Sequence, residues 1–129
     1  MDPSRLKSIP LFADLPEDQL REIATFAIEV SVEEGKHLVE EGDYSYQFMA
    51  IEEGNAEVLR GDERVAELGP GDYFGEIGLI ERDRRTATVV AKSPMLLVTL
   101  DRWDLKRMEK DIPEAYSKIR QTMEQRRQA

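Results

Sequence analysis

Apolar positions along the chain change their period twice. Up to about Ala27 they recur at helical spacing: Leu20, Ile23, Ala24 and Ala27 form one apolar face, and Leu15-Pro16-Glu17-Asp18 opens the helix with proline and acids in its first turn. Ile9, Leu11 and Phe12, just upstream, are expected to pack against the strands downstream. From Ile28 to Leu100 the pattern shortens. Glu29–Glu33, His37–Val39, Tyr46–Ile51, Ala56–Leu59, Arg64–Leu68, Thr86–Ala91 and Met95–Leu100 read as short strands. Between them stand Glu41-Gly42-Asp43, Glu53-Gly54-Asn55, Gly61-Asp62 and Gly69-Pro70-Gly71-Asp72, all turn chemistry. Turn signals every ~8–12 residues imply a small antiparallel sandwich or barrel. After Leu100 the helical period returns. Asp101 reads as an N-cap with Asp104 three residues on, and Leu105, Met108 and Ile112 share a face. Pro113 ends that helix and opens another, with Ala115, Ile119 and Met123 on one stripe and Tyr116 beside it.

The pattern therefore predicts a mainly β fold with flanking helices. It is read as one domain over residues 1–129: an N-terminal helical part (1–28), an antiparallel β-roll (29–100) and C-terminal helices (101–129). A chain of 129 residues is long enough for one core. It has no cysteine, which excludes disulfide scaffolds and thiol chemistry and fits a reducing, cytoplasmic setting. No apolar run approaches a membrane span, so no membrane association is expected. The net charge of −9 argues against a nucleic-acid partner, because phosphate neutralisation supplies much of that affinity. Lys118, Arg120, Arg126 and Arg127 in the tail read as a solvated helix end. His37 is the only histidine, so no multi-histidine metal site can form around it, and it is expected on a solvated strand. Trp103, at a helix start, is expected to pack.

One segment carries chemistry that the rest does not: Gly71 to Ala91, GDYFGEIGLIERDRRTATVVA. Phe74 reads as a core anchor after the Gly71-Asp72 turn. Gly75 lets the backbone approach a ligand closely. Glu76 to Ile80 suits one turn of helix, whose free N–H groups attract an anion, with Ile77, Leu79 and Ile80 tied to the core and Gly78 leaving the ligand side open. Arg85 adds a fixed charge with a planar fork that matches phosphate oxygens. Thr86 offers a hydroxyl, and Ala87 is small enough to leave its own N–H accessible. Glu76 alone would repel a phosphate; it makes sense accepting a hydrogen bond from a sugar hydroxyl while Arg85 compensates both negative groups. The implied ligand carries a phosphate and a ribose hydroxyl close together.

FGEIGL (Phe74 to Leu79) followed by RTATV (Arg85 to Val89), inside a β-roll pattern, resembles the phosphate-binding cassette of the cyclic-nucleotide-binding domain family. The resemblance spans nearly the whole chain, with Gly35, Gly42, Gly54 and Gly71 at the roll's turns and a cassette over 74–88. It implies a double-stranded β-helix or jelly-roll type of roll and a cAMP or cGMP ligand, with no metal and no other cofactor. By the resemblance, Arg85 binds the cyclic phosphate and Glu76 the ribose 2′-hydroxyl, and backbone amides around Ile77, Gly78 and Ala87 complete the cradle. A threonine at the Thr86 position occurs both where cGMP is bound and in channels responding to cAMP, so it leaves the base open. Tyr116 is the candidate lid over the base. Arg82-Asp83-Arg84 departs from the glycine- and proline-containing loop often found there.

The expectation is a cytoplasmic sensor, not an enzyme, that transmits binding to the helices after Leu100, with Leu79 as the contact between them. No helix-turn-helix, kinase or channel segment comes after the last helix, so the signal is expected to pass to an effector protein or a covalently linked effector domain. The competing reading is a β-roll interaction or scaffold domain that has lost nucleotide binding.

Overall fold

A computed structural model describes residues 1–42, 47–74 and 87–128, the side chains of 123 and 125–128 excepted. Where one N-terminal helical part was expected, three short helices occur: α1 (Pro3–Lys7), α2 (Pro10–Ala13) and α3 (Glu17–Ala24). Prolines set the breaks. Pro3 and Pro10 each occupy a first helical turn and Pro16 caps α3, so each new helix begins where a missing N–H costs nothing. Two helices close the chain, α4 (Arg102–Asp111) and α5 (Pro113–Gln128). Asp101 and Asp104 form a reciprocal capping box at the start of α4: the Asp104 N–H donates to Asp101 Oδ1 and the Asp101 N–H to Asp104 Oδ2, both at 2.8 Å.

Among the described residues eight strands lie between: β1 (Ile28–Val32), β2 (His37–Val39), β3 (Gln47–Glu53), β4 (Ala56–Arg60), β5 (Glu63–Leu68), β6 (Tyr73–Phe74), β7 (Thr88–Ala91) and β8 (Met95–Asp101). They form two antiparallel four-stranded sheets, ordered β1-β8-β3-β6 and β2-β7-β4-β5. Only the two-residue β6 escapes the strand pattern read from the sequence. The central strands of the first sheet, β3 and β8, are buried on both sides, while its edge strand β1 is largely exposed. Phe48, Ala50, Tyr73, Val98 and Leu100 join a core with Leu6, Phe12, Ile23, Met108 and Ile119 from the helices. Their strand neighbours Met49, Ile51, Phe74 and Leu97 point the other way and join Ala56, Val89 and Ala91 of the second sheet. Period-two alternation thus sends every other side chain into a different core. Each fully buried large apolar side chain contributes about 1.5–3 kcal/mol, so both interfaces are held firmly.

Turn geometry tracks the glycines. Gly35, Gly42, Gly54 and Gly71 all have positive φ, between 89° and 94°. At Gly54 space is restricted as well: a Cβ there would lie 2.5 Å from the Pro94 carbonyl oxygen and 2.8 Å from Met95 Cγ. At Gly35 it would meet nothing within 4 Å.

An acidic group is pressed between α1 and the first sheet. Glu52 sits where the β3–β8 register shifts between Ile51 and Glu53. Both its carboxyl oxygens are shielded from water, and no donor among the described residues reaches them, so a hydrogen bond to the neighbouring Glu29 carboxylate requires Glu52 to carry the proton. Burial, with the Glu29 carboxylate beside it, pushes its carboxyl up to about 7, against a lowering influence from Arg5. Arg5 Nε in turn lies 3.7 Å from Glu29 Oε2.

This packing generates two predictions. Gly54→Ala should destabilise the fold by more than about 1 kcal/mol, and by more than Gly35→Ala, since strain and collision add at Gly54 but strain acts alone at Gly35. Equal losses in urea unfolding would contradict this account. For Glu52, the folded state holds the proton more tightly than the unfolded chain, so its contribution is complete below the ordinary 4.5 and disappears as pH rises through about 7. The thermal midpoint should therefore fall as pH rises across that window, and Glu52→Gln should flatten the fall. An unchanged slope in the variant would remove Glu52 as its source.

Candidate functional site

The segment expected to hold the ligand is fixed at both ends. At its entrance, the Gly69–Asp72 turn is tied to β3: Gly71 N–H donates to the Ile51 carbonyl and Ile51 N–H to the Asp72 carbonyl, both at 2.9 Å. The turn also closes on itself, since the Gly69 N–H donates to Asp72 Oδ2 at 2.8 Å and the Asp72 N–H to the Gly69 carbonyl at 3.0 Å. Gly71, at φ 92°, supplies the conformation that lets one residue serve both the turn and the strand. The chain then enters β6, whose Tyr73 and Phe74 pair with Ala50 and Met49.

These two adjacent residues divide between the cores. Tyr73 faces the helices, 5.6 Å between ring centroids from Phe48, which makes an edge contact with Phe12 of α2 at 6.5 Å. Phe74 turns into the roll interior with Met49, Val89 and Leu97. It is a core residue at the first position of the expected cassette.

At the exit, Ala87 is half-buried and leads into β7, an interior strand of the second sheet between β2 and β4. The Thr88 hydroxyl accepts the Glu41 N–H at 3.0 Å, while Glu41 Oε1 accepts the Gly61 N–H at 3.0 Å. From the sequence, Glu41 is only part of a turn. In the fold it ties two turns and the start of β7 together, and an acid directly before a turn glycine is the one signal that pointed toward it.

Of the residues assigned to the ligand, Phe74 and Ala87 are described. Gly75, Glu76, Ile77, Gly78, Arg85 and Thr86 lie outside the described residues, as do the expected helical turn from Glu76 to Ile80, the Leu79 contact and the Arg82-Asp83-Arg84 loop. Their mounting is described: one end on the edge strand of the first sheet, the other on an interior strand of the second, with the apolar roll interior between.

Tyr116, the candidate lid, is on α5. It is half-buried against the helical core, beside Glu109 and Arg120, and burial raises its hydroxyl above the usual tyrosine range, with Glu109 adding to the effect. His37 is exposed as expected, with Nδ1 2.7 Å from Glu40 Oε1. In the tail, Lys118 and Arg120 are engaged with Asp14 and Glu124 at 3.9 and 3.2 Å. Trp103 corrects its expectation: it does not enter a core but stands 62% exposed, with Arg102 and Lys106 over its ring. The α4 face that does enter the core is that of Leu105 and Met108, and Trp103 falls on the opposite side of the turn. Among the described residues no group of three or more metal-ligating side chains occurs, and no helix is long and apolar enough to cross a membrane.

This architecture has known counterparts. The N-terminal domain of a transcriptional regulator from Streptomyces coelicolor superposes with a TM-score of 0.81 at 29% identity, covering 96% of this chain and 90% of that one. The cAMP-dependent protein kinase regulatory subunit of Schizosaccharomyces pombe is 39% identical over 100 residues, 77% of this chain. The cGMP-dependent protein kinase of Eimeria tenella is 36% identical over 88 residues, 68% of this chain. The chain spans only 24% and 9% of the lengths of those two relatives. The sequence profile of the cyclic nucleotide-binding domain matches residues 29–111, from β1 to the end of α4. With the antiparallel roll, its flanking helices and that match in agreement, the chain belongs to the cyclic nucleotide-binding domain family.

Proposed function

We propose that this chain is a sensor module that binds cAMP or cGMP in the cassette over 74–88 and reports occupancy through α4 and α5 to an effector, either a separate protein or a linked domain. The observation that carries the reading is the family match over the stretch holding FGEIGL and RTATV, mounted between two fixed ends. In this proposal Arg85 holds the cyclic phosphate and Glu76 accepts from the ribose 2′-hydroxyl. Backbone amides of Ile77, Gly78 and Ala87 complete the cradle, with Gly75 giving the backbone room and Thr86 its hydroxyl. The module works by binding alone, without metal or chemistry of its own, and residues 1–129 act as one unit.

Transmission has a physical route. Strand β6 carries Tyr73 in the helical core and Phe74 in the roll interior, so a shift at the cassette's entrance acts on both cores at once. A ligand that favours one helix arrangement moves the population by its differential affinity for the two. Tyr116 closes over the base in this scheme only if α5 leaves its present packing against the helical core.

Calorimetry with cAMP and with cGMP tests the proposal, and saturable heat with at least one is expected. No heat with either at high micromolar concentration would favour the competing scaffold reading. Arg85→Ala should weaken binding tenfold to a hundredfold or more, since a charge-assisted bond contributes about 1.5–3 kcal/mol and each tenfold costs about 1.4. The thermal unfolding of the ligand-free variant should match that of the parent. Undiminished affinity would move the phosphate away from Arg85.

A further inference from the structure

The outward face of α4 has a composition unlike the rest of the chain. At about 100° per residue, Trp103, Lys106, Arg107 and Lys110 stand together opposite the buried Leu105 and Met108. Arg102 flanks them. The acids of the helix are held off this stripe: Asp104 is engaged in the capping box, Glu109 stands beside Tyr116, and Asp111 lies at the margin. In a chain with 27 acidic and 18 basic residues, an outward stripe of cations without an acid runs against composition.

The stripe also runs against the helix's own stability. Arg102, Lys106 and Lys110 succeed one another at i, i+4 spacing, where like charges repel. Arg102 sits at the first helical position, the end of the helix dipole that disfavours cations. Among the described residues none of these cations forms an ion pair with a carboxylate, whereas Arg21 and Arg120 each pair with a glutamate four residues away on their own helices, at 3.1 and 3.2 Å. Arg107 lies 5.4 Å from the Phe26 ring centroid and Arg102 is half-buried, which leaves Lys106 and Lys110 as the exposed charges of this face that no half-burial, and no aromatic ring other than Trp103, holds back from a carboxylate. Arg102 Cζ and Lys106 Nζ stand 5.1 and 4.9 Å from the Trp103 ring centroid, so the indole is held in place with much of its surface open to water. An exposed tryptophan beside an arginine is a composition enriched in binding hot spots.

We infer that this face of α4 docks a short acidic segment of a partner protein, with carboxylates on Lys106 and Lys110 and an apolar side chain against Trp103. From Arg102 to Lys110 the stripe measures about 12 Å, which an extended peptide covers in about four residues. A segment that short meets only the stripe. A nucleic acid or an anionic membrane extends well past it, beyond the Debye length of about 8 Å, and meets the acidic body of a chain carrying −9. None of these residues belongs to the proposed cassette, so the docking can be measured without nucleotide.

Trp103 is the only tryptophan, so its emission reads the surface directly in the intact chain. Titration with a short synthetic peptide of Glu-Glu-Leu repeats should give a saturating blue shift that weakens with added salt. Lys106→Glu combined with Lys110→Glu should lower the affinity about tenfold, two exposed attractions being replaced by repulsions. Far-ultraviolet circular dichroism and the calorimetric response to cyclic nucleotide should not change. Phosphatidylserine vesicles and duplex DNA should leave the emission unaltered. Absence of a shift with the peptide would overturn the inference, as would a shift indifferent to both the charge reversals and salt, or an equal response to vesicles or DNA. Should the double variant fail to fold, Lys110→Gln and the salt titration of the parent chain give the same discrimination.

Discussion

Everything in this domain is hung on the pairing of β3 with β8. Each strand is buried over most of its length on both faces, and their side chains alternate between a core shared with the helices and a core shared with the second sheet. The two cores are therefore not independent. A displacement of the central pair toward one costs contacts in the other, and close packing leaves no slack to absorb it. Strand β6 extends this arrangement by two residues, and the second of them opens the cassette.

The helical elements and seven of the eight strands were legible because hydrophobic period and turn residues agree in them. The capping box at Asp101 and Asp104 was visible for a similar reason: it is local, and its residue types are few. The two-residue β6 was not legible, since Tyr73 and Phe74 are too few to show a period, and only pairing with β3 makes them a strand. The division of the N-terminal part into three helices was written in Pro3, Pro10 and Pro16, but apolar spacing carries across such breaks and masks them. Glu52 was hidden for another reason. Its environment arises where a register shift brings β3 to Glu29 of β1, and no local pattern encodes that meeting. Trp103 misled because a large aromatic is usually buried, and here the inward positions of α4 were already filled by Leu105 and Met108.

For the site, the sequence carried the residue types and their spacing, while the structure supplies the mounting. Glu41 belongs to the second kind of information: its carboxylate and its N–H reach Gly61 and Thr88, far apart in the chain. The likeness to a transcriptional regulator's domain and to two kinds of kinase protein fits such an arrangement. A rigid mount with a self-contained cassette can serve different effectors as long as the helices after the roll are free to differ.

The outer edges of the two sheets bear on how such a module lives inside longer proteins. Any open strand edge invites another strand to add to it. Here β2 and β6 are only three and two residues long; of the two longer edges, β1 carries Glu29, 3.7 Å from Arg5, and β5 is studded with Glu63, Arg64 and Glu67, the last two paired at 2.7 Å. Neighbouring copies or adjoining domains thus find little backbone to zip onto. Short or charged edges of this kind disfavour strand addition by other β-rich units placed beside the roll.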